Sequence, residues 1–141
     1  MLKASKNTYD WLGHGSYFWE FDEVRALAYA QELQEYSERA FTPIIRPAVI
    51  GAVIDLGNCL DLLDWRNLTF VKLAYNVLLQ SNDGSISDLP QNRSLPGQSG
   101  LLLRDLDCAV IEMLHDLWVN EFRQPPFDSV RGAFWEGKEL Y

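Results

Sequence analysis

The sequence predicts an α+β domain, a small β-sheet core with three main helices in the order β-α-β-α-loop-α-β. Three observations carry that expectation. In three long stretches, apolar residues recur at spacings of three and four, the mark of helices with one buried face. Around them lie short runs rich in β-branched or aromatic residues, bounded by glycine and proline. The chain has 141 residues, 48% of them hydrophobic, enough for one sizeable core but too short for two ordinary domains, so 1–141 reads as a single domain. Long helices and few strands favour a mixed arrangement over a regular parallel sheet.

Asn7-Thr8-Tyr9-Asp10 and Gly13-His14-Gly15 read as an entry loop, followed by Ser16-Tyr17-Phe18-Trp19 as a first short strand. Asp22 is placed to cap the first helix, with Glu23 in the first turn, where the helix dipole favours negative charge. Val24, Leu27, Ala28, Ala30 and Leu33 supply its apolar stripe, and the helix is expected to end before Pro43. Residues 48–54 are apolar and rich in β-branched side chains, between Pro47 and Gly57-Asn58, which predicts a strand buried on both faces. A second helix is expected over about 64–79, with Phe70, Leu73, Ala74, Val77 and Leu78 on one face. Residues 81–99 are rich in Ser, Asn, Asp, Gly and Pro and form a long loop, either a lid, a binding loop or a mobile surface excursion. A third helix starts near Gly100, carries Leu103, Leu106, Val110, Met113, Leu114 and Leu117, and stops at Pro125-Pro126. Residues 129–135 form the last strand.

Composition narrows the function. Twelve basic against 20 acidic side chains give a net charge of −8, which argues against non-specific nucleic-acid binding through phosphate neutralisation. No apolar run is long enough to span a bilayer. The first six residues lack the apolar centre of a signal peptide, which implies a cytoplasmic protein. Cys59 and Cys108 are too few for a disulfide framework and read as small buried hydrophobes; with only His14 and His115 beside them, no metal site is expected. His14 reads as a solvated or locally hydrogen-bonded side chain, and His115 as a residue at the edge of the third helix's apolar stripe.

The stretch Tyr9 to Glu20 gathers aromatics around two glycines. Glycines at 13 and 15 allow a backbone to approach a ligand closely, and Tyr17 beside them offers a flat face to a planar ring. The same aromatics on a strand also suit plain core or cross-strand packing.

The run Gly13-His14-Gly15-Ser16-Tyr17-Phe18-Trp19-Glu20, followed by Ala26-Leu27-Ala28-Tyr29-Ala30, resembles the nicotinamide-binding segment of the diphtheria-toxin-like ADP-ribosyltransferases, the group that includes the poly(ADP-ribose) polymerases. Phe127-Asp128-Ser129-Val130-Arg131-Gly132 with Gly137 resembles the stretch before that family's acceptor-facing loop. Tyr9 to Gly15, residues 51–60 and residues 106–110 are similar to an uncharacterised bacterial branch of the superfamily. The resemblance implies NAD as substrate, transfer of ADP-ribose to a macromolecule, and a role related to toxins or defence. It places the nicotinamide ring between Tyr17 and Tyr29, with Gly15, Ser16 and Phe18 completing the binding segment. It supplies no catalytic residue. The family's first-strand histidine has no counterpart before Asn7, and Glu136 and Glu139 follow the acceptor-side glycine too closely to stand for its late glutamate. The chain then reads as a truncated enzyme, a relative whose site another chain completes, or an inactive relative serving as a nicotinamide-binding or protein-interaction module. Sheet edges left open by such losses imply a homo-oligomer or a partner chain that covers them.

Overall fold

The computed structural model describes residues 3–37, 40, 42–96 and 100–134. Among these residues it is of the α+β class, with three α-helices and a two-stranded parallel sheet. The chain separates into two compact bodies, one of residues 17–55 and one of residues 1–16 with 56–141.

The larger body holds the core. Its strands β1 (Cys59–Asp61) and β2 (Ser129–Arg131) run parallel in the register Cys59↔Ser129, Leu60↔Val130, Asp61↔Arg131. Side chains just before the two strands fix that register. The Asn58 amide donates to the Pro125 and Pro126 carbonyls at 3.2 and 3.0 Å, and Asp128 accepts the Asn58 backbone N–H at 2.8 Å. Gly57, at φ +57°, lets the chain turn there, since a Cβ would overlap the Asp128 carboxylate.

Helix α1 lies in the smaller body (Glu23–Glu35); α2 (Trp65–Ser81) and α3 (Asp105–Asp116) lie in the larger. Asp64 caps α2 by accepting from the Arg66 N–H at 2.9 Å and also holds the Arg66 guanidinium, which lowers the Asp64 carboxyl below its ordinary range. Phe70, Val71, Ala74, Tyr75 and Leu78 face the core, where Leu60, Ala74, Val110, Ile111 and Leu114 are buried. Leu73, expected on that face, is 41% exposed. Beyond α3 a π-helical turn (Leu117–Glu121) leads to a cluster in which Trp118 stacks on Phe127 at 4.7 Å and meets Phe70 edge-on.

Helix α3 begins at Asp105, not near Gly100. The preceding residues are taken up by a bridge, with the Arg93 and Leu103 backbones exchanging hydrogen bonds at 2.7 and 3.0 Å. The Asn92 side chain then accepts from the Leu106 and Asp107 N–H groups, capping the helix from a distance. Much of the expected long loop is thereby tied down. It also holds a short 3₁₀ turn (Ile86–Asp88), a buried Leu89, and an Arg93–Asp105 ion pair at 2.8 Å.

Two expected strands do not form. Residues 16–19 have no strand structure; only Gly15 is bridged, to Ser5. Residues 48–54 have none either, and they are exposed rather than buried, with Ile50 at 88% and Val53 at 105%. Apolar, β-branched sequence supplies propensity, but a strand also needs a neighbour's N–H and C=O groups, and no strand pairs with 48–54 among the described residues. The observed order is therefore α1, β1, α2, α3, β2. Trp135, Glu136, Gly137 and Glu139 lie outside the described residues.

In the smaller body, the Asp22 side chain caps α1 as expected, accepting from the Arg25 N–H at 2.8 Å. The helix buries none of its residues, and Val24 from its apolar stripe is 74% exposed.

Candidate functional site

The five binding residues divide between the bodies. Gly15 and Ser16 belong to the larger, and Tyr17, Phe18 and Tyr29 to the smaller. Each group has its own setting.

In the larger body the Gly13-His14-Gly15 turn is pinned on α3. The His14 N–H donates to Glu112 Oε1 at 2.7 Å, and His14 Nδ1 lies 3.4 Å from Glu112 Oε2. Gly13 sits at φ +82°, where a Cβ would meet both Glu112 and Ile111, so glycine is required there. Gly15 exchanges backbone bonds with Ser5 at 2.7 and 3.1 Å. His14 is thus half-exposed and held by a carboxylate from a distant helix rather than by local backbone. A cavity of about 410 Å³ adjoins this turn, lined by Thr8, His14, Pro90, Asp105, Cys108, Ala109 and Glu112. Its thiol is a poor nucleophile: burial first, then the Glu112 charge, pushes Cys108 up to about 11. A second cavity of about 260 Å³ is lined by Trp11, Leu62, Val71, Leu106, Asp107, Val110 and Ile111. On α3, His115 lies edge-on to Phe127 at 5.7 Å, and burial lowers its pKa.

In the smaller body two aromatic residues, Trp19 and Tyr29, pack beside a cation. Trp19 and Tyr29 pack with ring centroids 4.9 Å apart and planes tilted by 45°. The Arg25 guanidinium lies over both rings, 5.9 Å from the Trp19 centroid and 5.7 Å from that of Tyr29. Helical spacing explains half of this, because Arg25 and Tyr29 stand four residues apart on one face of α1. Tyr17 is 40% and Phe18 50% exposed. Arg25 and Trp19 therefore join Tyr29, two residues to which the motif assigns no role. The spacing of Arg25 and Tyr29 is a signal legible in the sequence. Glu112 carries no such signal, since it meets His14 from 98 residues away.

Among the described residues, no group of three or more His, Cys, Asp or Glu side chains is placed to hold a metal ion. Among the same residues, no helix is long and apolar enough to cross a membrane. The chain matches no protein-family model, no curated protein and no solved structure.

Proposed function

We propose that this chain is an ADP-ribosyltransferase-like protein whose smaller body binds the nicotinamide end of NAD. One observation carries the reading: the Trp19 and Tyr29 rings already hold a planar, delocalised cation, the Arg25 guanidinium. The nicotinamide ring of NAD is also planar and positively charged, and aromatic faces attract such groups through their quadrupole. The sequence motif points to the same segment, with Tyr17 and Phe18 beside it. In the transfer this reading implies, the bond between nicotinamide and ribose breaks and nicotinamide leaves with the bonding electrons. The acceptor's nucleophile bonds to the ribose carbon and releases its proton. The protein's part is to position the reactants and stabilise developing charge.

Calorimetric titration tests the binding. NAD is expected to bind more tightly than NADH, whose reduced ring carries no positive charge, and both Tyr17→Ala and Tyr29→Ala are expected to weaken NAD by about tenfold. Equal affinity for the two nucleotides removes the cation-on-aromatic basis of the reading. Transfer of label from NAD to protein or nucleic acid, absent in Tyr17→Ala, distinguishes an enzyme from a binding module. The module is the second reading, favoured by the exposed apolar stretch at 48–54, which suits protein interaction more than catalysis.

A further inference from the structure

Residues 48–54 form an uncharged run of Ala, Val, Ile and Gly between Arg46 and Asp55. Ile50 and Val53 stand almost wholly in water, and Ile45 just before the run is 85% exposed. A β-branched, strand-forming run with no strand paired to it among the described residues is a segment that another chain can draw into a strand pair.

We infer that this segment pairs antiparallel with the same segment of a second copy, about a twofold axis at Gly51. The sequence is self-complementary about that residue. Ala48 comes opposite Ile54 and Ile50 opposite Ala52, small against large on one face, while Val49 meets Val53 on the other. Charge selects the direction. Antiparallel pairing brings Arg46 of one copy and Asp55 of the other to the same end, whereas parallel pairing sets Arg46 beside Arg46 and Asp55 beside Asp55. Gly51 at the axis has open space around the position of a Cβ, so a larger residue fits there in the single chain.

The test is sedimentation equilibrium with disulfide trapping. At about 100 µM, a concentration suited to a small interface, the chain is expected to sediment at twice its 16.2 kDa mass. Val53→Lys, which changes a fully exposed side chain, is expected to return it to the single-chain mass. Gly51→Cys is expected to cross-link under mild oxidation, because residues opposite each other at the axis have Cα atoms about 5 Å apart. Ala48→Cys is expected not to, because its copies lie about 20 Å apart along the strands. The unmodified chain controls for Cys59 and Cys108. A single-chain mass for the unmodified protein overturns the inference, as does a dimer that survives Val53→Lys or equal cross-linking at positions 48 and 51.

Discussion

At the scale of single residues, burial and backbone conformation decide what each position tolerates. Leu114 is fully buried at the centre of α3's core face, so Leu114→Ala leaves a cavity and is expected to lower unfolding free energy by about 2–5 kcal/mol, read from denaturant melts. Gly13→Ala meets both the positive φ and the Glu112 carboxylate; it is expected to destabilise by more than about 1 kcal/mol in the same melts and to free His14 from its partner. His115 gives a pH signature. Burial lowers its folded pKa below 6.5, so the unfolded chain takes up a proton first as pH falls. Its contribution is complete above pH 6.5 and is lost as pH drops from there toward the folded value. His115→Gln is expected to flatten stability against pH across that window, and an unchanged slope contradicts this origin.

At the scale of elements, the helices were legible because their signals are local. Asp22 caps α1 where expected, α2 starts at Trp65 against an expected start near 64, and the apolar spacing of α2 and α3 locates most of the core face. The start of α3 was not legible, because its cap is Asn92, thirteen positions before Asp105 and reached through the Arg93–Leu103 bridge. Asn92→Ala removes both cap bonds and is expected to cost about 0.5–2 kcal/mol, with earlier hydrogen exchange in the first turn of α3. The strands were legible in part. Ser129–Arg131 falls within the expected last strand. Its partner is Cys59–Asp61 rather than the more apolar 48–54, because Asn58 and Asp128 align the shorter segment. The apolar, β-branched composition of 48–54 predicts a buried strand, and pairing, a non-local property that composition does not encode, decided against it.

For the whole molecule, the division into two bodies gives the aromatic segment two settings. The glycine turn is held on α3 by the His14–Glu112 contacts, whereas the aromatic cluster belongs to a body whose helix has no fully buried residue. The candidate site was legible as a motif and only partly as an arrangement: Tyr17, Phe18 and Tyr29 stand out in sequence and Arg25 stands four residues before Tyr29 on α1, while Trp19 joins them through ring packing. The central claim is that these rings form a surface for a planar cation now occupied by Arg25. Titration with 1-methylnicotinamide, methylated at the ring nitrogen and so a pyridinium cation without phosphates, tests it most directly. Arg25→Ala uncovers the rings and removes a repelling charge, so it is expected to tighten binding by about threefold to tenfold, while Tyr29→Ala is expected to weaken it by about tenfold. Binding that is undetectable at about 10 mM in the unmodified chain and in Arg25→Ala alike contradicts the claim.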